Sequence, residues 1–221
     1  MFITFEGIEG CGKTTQINLI GSLLDAKGIP YIITREPGGT QIGEGIRRIL
    51  LSSKNNDMSF ITELFLYLAS RAQHIKEVIE PALVSNKTVL CDRFSDATVA
   101  YQVYARGIDL KLVKELNRIA TSGVNPDITV LIDCPVEVGL ARAMKRIHSE
   151  ISQKGQDRFE REEKNFHKKV REGYLKVAEE NSERIIVVDG TKDIKIIHHE
   201  ICETLFPKIL AEQSVISNNF R

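Results

Sequence analysis

Residues 7–15, GIEGCGKTT, have the spacing of a loop that binds phosphate groups. They fit the pattern GxxxxGK[ST], and the context agrees, because the apolar run FITFE precedes them and a helical pattern follows. Glycines let backbone N–H groups close around phosphate oxygens, and the positive end of the next helix points at them. Lys13 is expected to reach the β- and γ-phosphates of a nucleoside triphosphate, and Thr14 to hold magnesium. The expected triphosphate-binding residues are Gly7, Ile8, Glu9, Gly10, Cys11, Gly12, Lys13, Thr14 and Thr15.

Two features of this loop are unusual for a phosphate site. Glu9 places a carboxylate where anions should bind, and Lys13 is the loop's only cation. Phosphoryl transfer needs more positive charge than one lysine supplies. Cys11 is either a reactive thiol at a helix N-terminus or a neutral spacer.

The strand pattern KTVLCDR narrows the class of phosphate-loop protein. A guanine-binding NKxD motif is absent, since Asn86-Lys87 is followed by Thr-Val. Motor-type ATPases end this strand in Asp-Glu, whereas here it ends in Asp92-Arg93. Asp92 could hold a magnesium-bound water, and Arg93 would place a guanidinium in the same crevice. Such a pair favours transfer of phosphate to another anion over transfer to water.

Strand and helix patterns alternate along the chain. Buried-strand patterns cover 2–6, 31–36, 87–92, 127–135 and 184–190, and helical patterns cover 14–28, 42–52, 59–85, two stretches near 95–122, one from 136, 158–174 and a last one to about 210. This alternation predicts a three-layer α/β/α fold around a five-stranded parallel sheet, with ligands at the carboxyl ends of the strands.

Length and composition indicate one globular domain over 1–210 followed by a polar tail at 211–221. With 30 basic and 30 acidic residues, no overall field draws the chain to nucleic acid or membranes. The charged run 158–174 has apolar residues at helical spacing and predicts an amphipathic helix. Its Tyr174 is assigned to packing, and its His167 to a structural or a solvated position. Four scattered cysteines and the lack of a long apolar run indicate a reducing cytoplasm.

Four stretches together resemble the thymidylate kinases of the bacterial type. They are GIEGCGKTT, TREPGGT (34–40), LFLYLASRAQH (64–74) and DRFSDATVAYQ (92–102), and the resemblance extends from residue 1 to about 208. It implies the phosphate-loop nucleoside-monophosphate-kinase fold, a homodimer, and the reaction ATP + dTMP ⇌ ADP + dTDP with Mg²⁺.

The resemblance assigns most of an acceptor site. Arg47, rather than its neighbour Arg48, and Arg93 would grip the acceptor phosphate. Glu9 would accept a hydrogen bond from the sugar 3′-hydroxyl, which explains the acid in the loop. The full dTMP-binding set is Glu9, Glu36, Arg47, Tyr67, Arg71, Arg93, Thr98, Tyr101 and Gln102, and the metal set is Thr14, Asp92 and Glu36.

Each base-side residue has an assigned role. Tyr67 would stack on thymine, although the helical pattern alone favours packing of Tyr67 in the core. Arg71 would donate a hydrogen bond to a thymine carbonyl. Thr98 and Gln102 would read the base edge, and Tyr101 would crowd the 2′ position of the sugar. Glu36 would order water and magnesium, with a turn-capping carboxylate as the alternative.

The resemblance also implies a mobile lid at about 142–158 that carries the missing cations. Its five basic residues exceed its two acidic ones by three charges in a chain of zero net charge. Arg142 would pack on the adenine and Arg146 would meet the migrating phosphoryl group, with Arg158 a weaker candidate. A solvated loop without function is the alternative. The catalytic set is Lys13, Arg93, Arg142 and Arg146.

Two other functions stay open at this point. One is a phosphate-loop kinase for another pyrimidine deoxynucleotide or a deoxynucleoside. The other is a non-catalytic nucleotide sensor, which would bind ATP without releasing ADP when an acceptor is added.

Overall fold

A five-stranded parallel sheet forms the centre of the computed structural model, which describes residues 1–149, 158–160 and 162–219. The strand order is β2-β3-β1-β4-β5. The strands are β1 (Phe2–Glu6), β2 (Tyr31–Arg35), β3 (Thr88–Asp92), β4 (Ile128–Asp133) and β5 (Ile185–Asp189). Each lies within a run that the sequence predicts as a strand, so the predicted sheet is confirmed.

Helices connect the strands and cover the sheet. They are α1 (Lys13–Ala26), α2 (Gln41–Leu51), α3 (Phe60–His74), α4 (Glu80–Val84), α5 (Ser95–Thr98), α6 (Leu110–Ala120), α7 (Val136–Ser149), α8 (Lys164–Glu180) and α9 (Ile194–Asn219). Two π-helical segments, Ile75–Ile79 and Val99–Ala105, continue α3 into α4 and extend α5. The predicted helical stretch 59–85 is therefore continuous but contains a wider turn.

Local sequence explains where several helices begin. The hydroxyl of Thr40 accepts a hydrogen bond from the Gly43 N–H at 2.9 Å at the start of α2, and Ser59 caps α3 in the same way. Asp109 caps α6 through the N–H of Leu112 at 2.8 Å. Such caps satisfy donors that the first helical turn leaves unpaired.

The chain order places a ligand crevice at the end of β1. This strand lies in the middle of the sheet and is buried along its whole length, which suits its continuous apolar character. Its neighbours are β3 on one side and β4 on the other. Connections leave the sheet in opposite directions at such a point, which opens a crevice at the carboxyl ends. The loop 7–12 and the residues after β2 and β3 meet there.

The last helix is longer than predicted. The pattern ends it at about Leu210, whereas α9 continues to Asn219 and includes most of the predicted polar tail. The amino terminus of Met1 pairs with Glu212 at 2.9 Å, which ties this extension to β1. Residues 220–221 lie outside the described residues.

The predicted lid is described only in part. Residues 142–149 are the second half of α7, and 150–157 lie outside the described residues. A lid that moves therefore stays a prediction. Within the part of the chain described, no helix is both long and apolar enough to cross a membrane.

Candidate active site

Two positions of the phosphate loop, Gly7 and Gly10, require glycine because of their backbone conformation and the atoms packed against them. Gly7 and Gly10 have φ of 135° and 69°, conformations that L side chains rarely adopt. A Cβ at Gly10 would lie 2.1 Å from the carbonyl oxygen of Gly139, and one at Gly7 would lie 2.4 Å from that of Ile132. The loop is thus packed against the first turns of α7 and the end of β4.

Gly10→Ala is expected to destabilise the protein more than Gly28→Ala. Gly28 has a matched φ of 67°, but no atom lies within 4 Å of a Cβ there. Both variants carry the cost of a left-handed conformation, and only Gly10→Ala adds overpacking, roughly 1–3 kcal/mol. Urea unfolding of both variants measures the difference. Equal losses would show that α7 does not press on the loop.

Lys13 and Thr14 begin α1 with their side chains already engaged. The Lys13 Nζ donates to the carbonyl oxygens of Gly7 and Ile8, each at 3.0 Å. The Thr14 hydroxyl donates to Asp92 Oδ2 at 3.0 Å, which connects the loop to the end of β3. The predicted cation and the predicted metal-binding pair therefore lie side by side.

The oxygen atoms of Thr14 and Asp92 suit magnesium. Mg²⁺ prefers oxygen ligands and commonly takes one or two protein groups together with substrate phosphates. Among the described residues, no group of three or more His, Cys, Asp and Glu side chains could hold a metal. The donor set thus fits an ion held largely by a bound triphosphate.

Both carboxylate oxygens of Glu36 contact side chains of α3. One of its oxygens accepts from Arg71 Nε at 2.8 Å, and the other lies 3.0 Å from His74 Nδ1. His74 in turn contacts the hydroxyl of Thr34 at 2.6 Å. The carboxylate is buried, so this geometry favours an anchor for Arg71 over the predicted metal ligand.

Glu9 lies in a cluster of donor side chains that come from the end of β3, the π-helical segment Val99–Ala105 and α8. Arg93 Nη2 donates to its Oε1 at 3.1 Å, Tyr101 donates its hydroxyl proton to the same oxygen, and His167 Nδ1 lies 3.4 Å from Oε2. Burial raises the pKa of the Glu9 carboxyl, but His167, Arg93 and Tyr101 outweigh it and hold that pKa well below its usual range. Glu9 is therefore an anion that accepts hydrogen bonds.

Arg93 is positioned from both ends of its guanidinium. Besides Glu9, it donates from Nη1 to the hydroxyl of Tyr174 at 2.8 Å, and it stacks over the Tyr101 ring at 5.1 Å. Its backbone has φ of 69°, and its N–H donates to Phe5 at 3.0 Å. These contacts fix the cation in the wall of the cleft.

Arg71 is the most heavily bonded of the predicted base-side residues. It is buried, and its guanidinium donates to four partners. They are Glu36 Oε2 at 2.8 Å, Thr98 Oγ1 at 2.8 Å, Asn117 Oδ1 at 2.5 Å and the Phe94 carbonyl at 2.9 Å. Its plane is therefore fixed.

Tyr67 and Gln102 complete the base side. The Tyr67 ring is half-buried and lies 6.4 Å from the Phe159 ring, centroid to centroid. The Gln102 amide donates to Glu63 at 2.9 Å. Tyr67 is thus neither fully in the core nor free in solvent, and its ring borders the cleft.

Arg47 and Arg48 differ in their contacts, as the helical turn requires. Arg47 is half-buried and donates from Nη1 to the Pro37 carbonyl at 2.9 Å. Burial lowers the pKa of the Arg47 guanidinium, with the nearby Arg35 charge adding to it. The geometry thus favours Arg47 for an anion, although Arg48 also borders the cleft.

The cations near the predicted lid fall into two groups. Arg142 and Arg146 lie one turn apart on α7 and border the cleft, and Arg142 donates to the Gly190 carbonyl at 2.9 Å. Arg158 is buried instead, donating to the Leu50 carbonyl and to Glu63 at 2.6 Å each. The weaker catalytic candidate is therefore a structural anchor.

One cleft of about 1690 Å³ brings the predicted site residues together. That exceeds the roughly 300–1,000 Å³ typical of a single small-molecule pocket and leaves room for two nucleotides. All members of the predicted ATP-binding, dTMP-binding, metal and catalytic sets border it except Gly7 and Ile8, whose carbonyl groups face Lys13.

Comparison with known proteins shows the family of this chain. The family model for thymidylate kinase matches residues 5–201. The chain belongs to the thymidylate kinase family. It is 56% identical to the thymidylate kinase of Citrifermentans bemidjiense over 194 residues, covering 88% of this chain and 86% of that one. It is 48% identical to that of Geobacter sulfurreducens over 208 residues, covering 94% and 97%.

A solved structure shows the same fold. The crystal structure of thymidylate kinase from Ehrlichia chaffeensis superposes with a TM-score of 0.74 at 33% identity, covering 93% of this chain and 98% of that one. The predicted nucleoside-monophosphate-kinase fold and the predicted resemblance to thymidylate kinases are both confirmed.

Sequence patterns do not predict the contacts of three residues that lie behind the cleft-lining side chains of Arg93 and Glu9. They assign Tyr174 and His167 on α8 to packing and structure, yet these side chains contact Arg93 and Glu9. Glu6, the last residue of β1, accepts from the Tyr174 hydroxyl at 2.8 Å. Two sequence features could have indicated these residues. Tyr174 and His167 place polar groups on an apolar helix face, and Glu6 is an acid at the end of a buried strand.

Glu6→Gln is expected to flatten the pH dependence of stability. Burial, with the nearby Asp96 charge, raises the pKa of Glu6 from 4.5 to about 7. The folded state therefore holds this proton more tightly, so the stabilising contribution is complete below pH 4.5 and is lost as pH rises through 7. The wild type should lose roughly 2–3 kcal/mol relative to Glu6→Gln across this range.

Urea unfolding at pH 5 and pH 8 measures this difference. Glu179→Gln, on the exposed end of α8, is the control and should leave the pH dependence of the wild type unchanged. Parallel pH curves for wild type and Glu6→Gln would show that Glu6 does not titrate in the folded protein.

Proposed function

We propose that the chain transfers the γ-phosphoryl group of ATP to the phosphate of dTMP and releases ADP and dTDP. The ion pair between Glu9 and Arg93 carries this proposal, since it joins the phosphate loop to the end of β3 inside one cleft. The loop faces the donor on one side, and its acid faces an acceptor on the other.

The donor end uses the loop and α7. Lys13 is placed among the loop carbonyls where it can reach β- and γ-phosphate oxygens. Gly10, Cys11, Gly12, Thr14 and Thr15 border the same end of the cleft. Arg142, held by the Gly190 carbonyl, borders it from α7 and is suited to pack on the adenine.

The acceptor end uses two arginines for the phosphate and an acid for the sugar. Arg93 and Arg47 present guanidinium forks that match phosphate oxygens. Glu9, an anion at any working pH, accepts from the 3′-hydroxyl. Tyr101, bonded to Glu9, lies against the sugar and disfavours a 2′-hydroxyl.

The base lies deeper, between α3 and the π-helical segment Val99–Ala105. Tyr67 supplies the aromatic face, and Arg71, fixed by Glu36, supplies a donor to a base carbonyl. Thr98 and Gln102 lie along the base edge. These side chains would give a pyrimidine both a stacking partner and directional hydrogen bonds.

Magnesium would be held by Thr14 and Asp92, whose oxygens lie 3.0 Å apart. When bound, the ion would neutralise charge on the β- and γ-phosphates. Glu36 would act on the metal only through water, because Arg71 and His74 occupy its oxygens.

The chemistry then needs alignment and cations more than a base. An oxygen of the acceptor phosphate, already ionised, forms a bond to the γ-phosphorus while the bond from that phosphorus to the β–γ bridging oxygen breaks. The negative charge of the broken bond remains on ADP. Lys13, Arg93 and Arg146 border this region of the cleft and would stabilise the transferring group.

A coupled assay of ADP release tests the proposal. With ATP present, dTMP should stimulate ADP release strongly, and omission of the acceptor should abolish it. Faster turnover of dCMP or of thymidine than of dTMP would favour a different acceptor. ATP binding without acceptor-dependent ADP release would identify a nucleotide sensor instead.

We also infer a homodimer, built from exposed apolar side chains on neighbouring helices. Ile61 and Phe65 on α3 are 46% and 55% exposed, and Ile119 on α6 is 61% exposed. The helices α3 and α6 pack together, so a second copy could cover both. The free cysteines in the described residues are in keeping with a cytoplasmic protein.

Phe65→Glu is expected to shift the protein from dimer to monomer, because it would place a charge in the apolar surface between subunits. Val84→Glu is the matched control, since Val84 is 82% exposed and ends α4, a helix that contributes no residue to this surface as defined. Sedimentation velocity measures both. A Phe65→Glu variant that stays dimeric at low micromolar concentration would place the interface elsewhere.

A further inference from the structure

A buried carboxylate lies behind the base side of the cleft. Glu63 on α3 is fully buried, does not border the cleft, and has no part in the roles proposed above. We propose that Glu63 is a positioning residue that sets which pyrimidines the acceptor site takes, by holding the Gln102 amide in one orientation. This inference rests on the proposed function.

Glu63 accepts hydrogen bonds from three side chains. Its Oε1 accepts from Gln102 Nε2 at 2.9 Å and from Arg106 Nε at 3.2 Å. Its Oε2 accepts from Arg106 Nη2 at 3.2 Å and from Arg158 Nη2 at 2.6 Å. A carboxylate between two guanidinium groups can only accept, so every group that faces it must be a donor.

This constraint fixes the orientation of Gln102. Its Nε2 must face Glu63, because the reverse orientation would direct a carbonyl oxygen at a carboxylate oxygen. Gln102 borders the cleft, so its other end, the acceptor Oε1, is the end that remains for a bound base. A glutamine without such a partner could present either end.

The hydrogen bonds of Arg71 leave it a donor for the cleft, whereas those of Gln102 leave an acceptor. Four of its five N–H groups donate within the described residues, to Glu36, Thr98, Asn117 and Phe94. The N–H that these bonds leave is on Nη2, and Arg71 borders the cleft. The site therefore offers a donor from Arg71 and an acceptor from Gln102.

That pair matches one class of pyrimidine. Thymine and uracil carry an acceptor at O4 beside a donor at N3–H, whereas cytosine carries a donor at N4 beside an acceptor at N3. With cytosine, the Arg71 donor would face an amino group and Gln102 Oε1 would face a lone pair. A buried site made for one pattern rejects the other strongly, because its own polar groups are left unpaired.

Glu63 also anchors the chain just beyond 150–157, through Arg158, so its loss would affect more than Gln102. Discrimination among acceptors separates the two effects. The ratio of kcat/KM for two acceptors, measured on one preparation, does not depend on the fraction of protein that is folded.

The experiment measures kcat/KM for dTMP, dUMP and dCMP with saturating ATP in wild type and Glu63→Gln. The amide that replaces the carboxylate can face either end of the Gln102 amide, so Gln102 is freed to turn. The ratio of dTMP to dCMP should fall by about tenfold or more, the effect of one buried hydrogen bond. The ratio of dTMP to dUMP should stay within about twofold of the wild-type value, because both bases carry N3–H.

Two further variants make the result decisive. Arg106→Lys weakens the ion pair but keeps the bond from Gln102 to Glu63, so it should lower stability and leave both ratios unchanged. Gln102→Met leaves Glu63 paired with both arginines and removes the acceptor. It should lower the dTMP to dCMP ratio as Glu63→Gln does, and it covers the case in which Glu63→Gln does not fold.

An unchanged dTMP to dCMP ratio in Glu63→Gln or in Gln102→Met would overturn this inference. So would an equal fall in Arg106→Lys. A wild-type protein that phosphorylates none of the three nucleotides would refute the proposed function instead, and the two failures are therefore distinguishable.

Discussion

Lys13→Met is expected to lower turnover by about 10³-fold or more while the protein stays folded. The ammonium is buried and is held by the Gly7 and Ile8 carbonyls at 3.0 Å each, so it is fixed before any phosphate arrives. A fixed charge stabilises the transition state without reorganisation, which is why its loss costs more in rate than in binding. Methionine keeps much of the length of the side chain, and two carbonyls lose a donor, roughly 1–3 kcal/mol of stability.

The measurement is kcat and KM by coupled assay, with thermal unfolding alongside. Lys27→Met is the control, since Lys27 is exposed just after the same helix ends, where its ammonium lies over the ring of Phe206. It should change neither constant by more than about twofold, as expected for a surface charge. Turnover of Lys13→Met within tenfold of the wild type would remove Lys13 from the chemistry.

The phosphate loop and the sheet could be predicted from the sequence because both are local patterns. Five buried strands are short apolar runs, and the loop is a contiguous motif between a strand and a helix. Their relative position then follows from the parallel α/β topology, which collects the carboxyl ends at one edge. The pairing of Thr14 with Asp92 at 3.0 Å is a consequence of that topology.

The partners of the buried acids could not be predicted in this way. Helical spacing shows which face of α8 is buried, but not that its Tyr174 and His167 face Arg93 and Glu9. The same applies to Glu36, whose oxygens are taken by side chains from α3 far along the chain. Burial is a local property of a pattern, whereas the contact that satisfies a buried polar group is a property of the fold.

The sequence patterns also do not predict the two π-helical segments. The spacing of Thr98 and Gln102 predicts one helical face, and the structure does place both at the cleft. Val99–Ala105, however, has the wider π turn, which changes the direction of each following side chain. That turn allows Thr98 to contact Arg71 while Gln102 reaches Glu63.

Arg146→Ala is expected to lower turnover at least about a hundredfold with little change in stability. Arg146 borders the cleft one turn after Arg142, and its helix begins against the phosphate loop, where Gly139 leaves no room for a Cβ at Gly10. Because α7 is fixed to the loop at its base, its guanidinium groups are held relative to the triphosphate. Arg146 is exposed and its charge interacts with the Glu160 carboxylate, so removing its side chain should cost the fold about 1 kcal/mol or less.

Lys145→Ala provides the matched control, since it removes the adjacent exposed charge from the same turn of α7 without touching the cleft. If the basic residues of α7 only attract anions from solution, both variants should have a kcat/KM that is lower by the same small factor. Added salt should then lower the kcat/KM of the wild type by a similar factor. If Arg146 meets the migrating phosphoryl group, Arg146→Ala should lower kcat, and added salt should not change the size of this effect. The fall in kcat should exceed that of Lys145→Ala by at least about tenfold. Near-normal kcat in Arg146→Ala would mean that the transfer does not need the Arg146 guanidinium.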